Sequence, residues 1–137
     1  MTGTSYCLAT DELALDQKTI YVIDDDDAVR VSARMLLEAK DFVVKDFASP
    51  AKFLEETGGT GADCLLLDIH MPGLNGAELL ESLRRKGIRV PAVILSGRLD
   101  ETMSARLAKA GASAILEKPP ESGTLLSAIR SAMSAPA

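Results

Sequence analysis

The chain has 137 residues, 47% of them hydrophobic and 26% charged, enough for one domain with a buried core and unlike a disordered composition. No apolar run reaches the roughly 18 residues that cross a membrane, the first residues show no basic start followed by an apolar stretch, so a secretory leader is not expected, and two cysteines, Cys7 and Cys64, make neither a disulfide framework nor a zinc site. A reducing cytoplasm is the expected compartment, and the net charge of −5 argues against nucleic-acid binding by this chain itself.

Residues 1–17 show no clear period and predict a loosely docked extension. The run Thr19–Ile23 predicts a first strand, followed by four consecutive acids, Asp24 to Asp27. A helix over Ala28–Ala39 carries Val29, Ala33, Leu36 and Leu37 on one stripe. Phe42–Phe47 predicts a second strand, with nothing ionisable right at its tip. Ser49 caps and Pro50 opens a helix running to Glu56. Cys64–Leu67 predicts a third strand, with Cys64 as a buried small hydrophobe. The next helix, Gly76–Lys86, turns Leu79, Leu80 and Leu83 inward and stops at Gly87. Ala92–Leu95 is the fourth strand, Asp100–Ala110 the fourth helix and Ala114–Leu116 the fifth strand. A last helix, Pro120–Met133, faces Leu125, Leu126, Ile129 and Met133 inward, and residues 134–137 predict a frayed tail.

Runs such as Cys-Leu-Leu-Leu and Ala-Val-Ile-Leu lack polar alternation, which suits parallel strands covered on both faces. Five strand-then-helix units predict a doubly wound α/β domain over residues 18–133. Its expected form is a five-stranded parallel sheet in the flavodoxin-like order 2-1-3-4-5 with helices on both faces. All five aromatics precede residue 54, so aliphatic side chains must pack the second half.

Sites in such sheets form beyond the carboxyl ends of the strands. Those ends carry Asp24 and Asp25, Asp68, Ser96 and Lys118. With strand spacing of about 4.8 Å, Asp25 and Asp68 converge and Ser96 sits beside Asp68. Strand 5 lies about 10 Å from strand 3 on the same spacing, so only a long side chain such as Lys118 reaches in. Converging carboxylates need counter-charge. Lys118 supplies one positive charge, and an all-oxygen donor set suits Mg²⁺ for the rest. Such a pocket suits a phosphoryl group, and an aspartate can be its nucleophile. Asp26 and Asp27 read instead as a solvated helix start.

The chain resembles the response-regulator receiver domain of two-component signalling. The resemblance is carried by Val-Ile-Asp-Asp at 22–25, Leu-Leu-Asp-Ile-His-Met-Pro-Gly-Leu-Asn-Gly at 66–76, Leu-Ser-Gly at 95–97 and Glu-Lys-Pro at 117–119. It implies that Asp68 is the phosphoacceptor and that Asp25 and Asp68 hold Mg²⁺ directly, Asp24 largely through water. It further implies that His70 gives the metal its backbone carbonyl, that Ser96 and Lys118 hold the phosphoryl oxygens, and that the Lys118–Pro119 bond is cis. The implied donor is a sensor histidine kinase or a histidine phosphotransfer protein.

The family's usual aromatic three residues before the lysine is Ile115 here, so a ring-flip switch is unavailable, and Pro120 stands where Phe often follows Lys-Pro. His70 and Arg98, two residues beyond Asp68 and Ser96, are candidates for tuning dephosphorylation. With no helix-turn-helix candidate in view, the expectation is a stand-alone regulator, a possible homodimer, that catalyses only its own phosphorylation and dephosphorylation. Its signal would pass to a separate protein over the face of the fourth helix, fifth strand and fifth helix, where Arg106 and Lys109 lie, with no membrane or nucleic acid involved. Two alternatives are a haloacid-dehalogenase-like phosphohydrolase using Asp24 and Asp26, and a binding module that takes no phosphate.

Overall fold

Five short apolar segments become strands: β1 (Thr19–Ile23), β2 (Val43–Phe47), β3 (Cys64–Asp68), β4 (Ala92–Ser96) and β5 (Ala114–Glu117). The helices between and after them are α1 (Asp27–Glu38), α2 (Pro50–Thr57), α3 (Gly76–Arg85), α4 (Glu101–Lys109) and α5 (Ser122–Ser134). The structure, a computed structural model, describes residues 17–71, 73–98 and 100–134. The extension expected at 1–17, except Gln17, and the tail beyond Ser134 lie outside the described residues, as does Cys7. Ser134 itself is still helical, its hydroxyl donating to the Arg130 carbonyl at 2.9 Å.

All strand pairings are parallel and the order is β2-β1-β3-β4-β5, as expected. The register sets Ile23 beside both Phe47 and Leu67, Asp68 beside Leu95, and Ser96 beside Glu117. The carboxyl ends of the strands therefore share one edge of the sheet.

Strand alternation divides the core into two layers. On one face Ile23, Leu65, Leu67 and Ile94 meet α2, α3 and α4 through Phe53, Leu79, Leu80, Leu83 and Leu107. On the other, Val22, Leu66, Val93 and Leu95 meet α1 and α5 through Ala33, Leu37, Leu125, Leu126 and Ile129. β3 and β4 are buried along their whole length, which explains their unbroken apolar sequences. Tyr21, Phe47 and Phe53 pack edge to face with centroids 5.3 to 6.0 Å apart, while Phe42 packs against the opposite layer. Cys64 is buried as expected, and burial pushes its thiol up to about 12, which keeps it inert.

The last helix starts later than expected. Pro119 and Pro120 precede it, and the Glu121 carboxylate accepts the Thr124 amide at 2.8 Å, so helical geometry begins at Ser122. Near its end Ala132 is buried, and Met133, half-buried, packs against the same layer as expected.

α3 starts with a capping box. Asn75 Oδ1 accepts the Glu78 amide at 2.8 Å and Glu78 Oε1 accepts the Asn75 amide at 2.9 Å. Asn75→Ala is expected to cost about 1 kcal/mol, read as a lower urea midpoint with an unchanged slope.

Candidate functional site

Asp24 follows β1 directly, and its amide donates to the Phe47 carbonyl at 3.1 Å, extending the β1–β2 ladder by one residue. Its carboxylate is buried, with only 2% of the residue exposed. One oxygen accepts the Asp26 amide at 2.9 Å and the other accepts Lys118 Nζ at 2.9 Å. Asp68 closes β3 and is equally buried, accepting Lys118 Nζ at 3.1 Å and the His70 amide at 3.4 Å. Asp25 is exposed, yet one carboxylate oxygen from each of Asp24, Asp25 and Asp68 falls within 4.8 Å of the others. The expected convergence is therefore observed, with Lys118 crossing from the β5 edge to bridge the two buried acids.

The charge in this pocket does not balance. Burial pushes the Asp68 carboxyl above its ordinary value and repulsion from Asp24 adds to it, although Lys118 and the His70 amide pull the other way. Burial works against the Lys118 ammonium, but its hydrogen bonds to Asp24 and Asp68 and their charges raise it overall. One ammonium bridges two of the three carboxylates, and the donors are all oxygen. That set fits a small hard divalent cation better than a softer metal.

Ser96 ends β4, fully buried. Its hydroxyl donates to the Arg98 carbonyl at 2.6 Å and accepts the Arg98 amide at 3.2 Å, so it folds back on its own loop. The Lys118 amide donates to the Ser96 carbonyl at 2.8 Å, joining the two residues expected to hold phosphoryl oxygens. The Lys118–Pro119 bond is cis. His70 and Arg98 are exposed beyond the strand ends, and Ile115 is half-buried against the core on the α4 side.

Asp26 does not pair with Asp24 as a phosphohydrolase would require. Its carboxylate is the N-cap of α1, accepting the amides of Ala28 at 2.9 Å and Val29 at 3.3 Å. Asp27 pairs with Arg30 at the same helix start. Arg106, expected on an open face, is committed elsewhere. Its guanidinium grips both oxygens of Glu81 on α3 at 2.8 Å, because α3 and α4 are neighbours on one side of the sheet, and this holds the Glu81 carboxyl below its ordinary value.

Two residues escaped the sequence reading. Asp46, one residue before the tip of β2, accepts Arg30 Nε at 3.2 Å and a nitrogen of Arg34 at 3.0 Å. Arg30 also donates to the Asp24 carbonyl at 2.6 Å. The tip of β2 itself is Phe47, as expected, and the ionisable group stands one residue earlier. The available signal was a lone arginine one helical turn after the acid run.

The family model for the response regulator receiver domain matches residues 20–130. The chain belongs to the receiver-domain family, the signalling module of response regulators in two-component systems. It is 35% identical over 114 residues to the transcriptional regulatory protein FixJ of Azorhizobium caulinodans, covering 83% of this chain and 54% of that protein. The response regulator protein TodT of Pseudomonas putida is 34% identical over 114 residues, covering 83% and 50%. The crystal structure of FixJ-N superposes with a TM-score of 0.80 and 31% identity, covering 89% of this chain and 98% of that one.

The chain spans about half the length of the curated relatives it matches. The expectation of a signal passed only to a separate protein, with nucleic acid uninvolved, does not stand. Relatives over this same segment are transcriptional regulatory proteins, and a net charge of −5 describes the receiver fold rather than what such a fold controls. Among the described residues no helix is long and apolar enough to cross a membrane.

Proposed function

We propose that this domain, residues 18–133, accepts a phosphoryl group on Asp68 from a histidine kinase or histidine phosphotransfer protein. The observation that carries the reading is Lys118 Nζ bridging the two buried members, Asp24 and Asp68, of a three-carboxylate cluster. A carboxylate oxygen of Asp68 bonds to phosphorus, the P–N bond of the donor phosphohistidine breaks, and the departing imidazole takes up a proton. Asp25 and Asp68, with the backbone carbonyl of His70, would hold Mg²⁺ directly and Asp24 largely through water, and the ion would supply charge neutralisation for the phosphoryl oxygens. Lys118 and the Ser96 hydroxyl bind those oxygens, and Ser96 must leave the Arg98 carbonyl to do so. That exchange favours one of two conformations. Output through transcriptional control, by protein outside this fold, follows the relatives' names.

Small acyl phosphates test the acceptor directly. With acetyl phosphate and Mg²⁺ the intact protein should gain one phosphoryl group, lost with chelator and absent in Asp68→Asn. Retention of label in Asp68→Asn, or label on Asp24, overturns the reading. Absence of both metal binding and label instead favours a module that takes no phosphate.

His70 and Arg98 sit where they can order or exclude the attacking water. Their alanine variants should change the decay rate of the phosphorylated protein several-fold, well below the roughly 10²–10⁴-fold of direct general acid–base catalysis, because they only place the water. Unchanged decay in both would remove them from the site.

A further inference from the structure

We infer that Arg30 is a positioning residue for the carboxylate cluster, aiming Asp25 through the peptide that precedes it. The assignment rests on the cluster being a divalent-cation site. Arg30 lies in the first turns of α1, and its side chain is only 14% exposed. One nitrogen donates to the Asp24 carbonyl at 2.6 Å, Nε donates to Asp46 at 3.2 Å, and the remaining nitrogen pairs with Asp27. Arg34, one turn further on, holds the second Asp46 oxygen at 3.0 Å. The guanidinium is therefore clamped from β2 and spends its other end on a main-chain oxygen of the acid loop.

That oxygen belongs to the peptide joining Asp24 to Asp25. The unit is planar, so holding its oxygen sets where the Asp25 nitrogen and Cα lie. The other handles of Asp24 are already taken, its amide by Phe47 and its carboxylate by Lys118 and the Asp26 amide. Asp25 has none of this support. It is exposed, and among the described residues its carboxylate accepts no hydrogen bond from the protein. The peptide held by Arg30 is then what directs Asp25 toward Asp24 and Asp68. Arg30 also sets a permanent positive charge within the run of four acids, offsetting part of their repulsion.

A surface ion pair that only steadied α1 would not have this consequence for metal affinity. Arg30→Lys keeps the charge and loses the fork that reaches Asp24 and Asp46 together. Asp46→Asn keeps Arg30 and loosens its clamp. Mn²⁺ binding to the full chain, read from the free-ion electron paramagnetic resonance signal with Mg²⁺ as competitor, measures the effect without any phosphoryl chemistry.

Arg30→Lys should weaken binding about tenfold, the lower end for residues that orient metal ligands, and Asp46→Asn should weaken it less. In an Asp25→Asn background, already weaker, Arg30→Lys should add nothing, because its effect runs through Asp25. Binding by Arg30→Lys within about twofold of the unmodified chain overturns the inference, since the expected change is tenfold. An equal loss in the Asp25→Asn background does the same. If Arg30→Lys does not fold, Asp46→Asn decides by the same comparison. Failure of the unmodified chain to bind Mn²⁺ would be a different result, removing the cation site itself whatever Arg30 does.

Discussion

Lys118→Met should destabilise the fold by about 3 kcal/mol at pH 8, the lower end for removing one partner of a buried ion pair. The substitution leaves Asp24 and Asp68, 2% and 3% exposed, facing each other without their shared ammonium. The loss should shrink sharply at pH 5. Asp68 already sits above its ordinary value because burial and Asp24 disfavour its charge, and without Lys118 it moves higher. A carboxyl raised in the folded state favours folding while it is protonated, and that contribution is lost as pH rises through the folded value. Lys118, also raised, contributes fully below the ordinary lysine value and loses that contribution only as pH rises through its folded value. Between pH 5 and 8 the unmodified protein therefore keeps its counter-charge, while the variant must ionise Asp68 beside Asp24. Urea unfolding at the two pH values distinguishes this from lost packing, which would cost the same at both. Millimolar Mg²⁺ should restore part of the loss at pH 8 by binding the native state. The complementary change, Asp68→Asn, should raise the melting temperature at pH 8 while removing the acceptor.

The same pocket shows why sequence alone reached some residues and not others. β3 and β4 were legible because both of their faces are covered, which leaves unbroken apolar runs ending in Asp68 and Ser96. Parallel pairing then places strand ends on one edge, so Asp24, Asp25, Asp68 and Lys118 could be assembled from order and spacing alone. Pairings set by side-chain reach were not legible. Nothing local says that Arg30 bonds Asp46 rather than Asp27 alone, or that Arg106 finds Glu81 twenty-five residues away. Nor does the Leu-Ser-Gly stretch say that the Ser96 hydroxyl turns to the Arg98 carbonyl, because that bond depends on the backbone path after β4. The output was misjudged for another reason. Charge and motif content describe the receiver fold, while what it regulates depends on relatives twice its length.

Gly76 joins the fold to the site most directly. It is the first residue of α3, where alanine has the better helix propensity by about 1 kcal/mol. On propensity alone Gly76→Ala should stabilise. Yet a Cβ there would lie 2.4 Å from the Asp68 carbonyl oxygen, 3.0 Å from Ile69 Cα and 3.2 Å from the Asp68 carbonyl carbon. All three are backbone atoms of the segment that ends β3, fixed by the Ile69 amide to Leu95 and the Gly76 amide to Ile69. They cannot rotate away as a side chain could, so either α3 lifts from the sheet or the end of β3 shifts. Lifting α3 disturbs Leu79, Leu80 and Leu83, all fully buried. Shifting β3 moves Asp68 away from Lys118 and out of the carboxylate cluster. Gly76→Ala is therefore expected to cost 2 to 3 kcal/mol, toward the upper end of about 1–3 kcal/mol for overpacking. Acetyl phosphate labelling should fall by roughly 100-fold, the scale of an ångström displacement at a reacting group. Gly97→Ala is the control, since its Cβ meets nothing within 4 Å and its φ is not in the left-handed region; it should leave stability within about 0.5 kcal/mol. If Gly76→Ala melted with the unmodified protein and took up label at the same rate, the close approach of α3 to Asp68 would have no part in holding the acceptor in place.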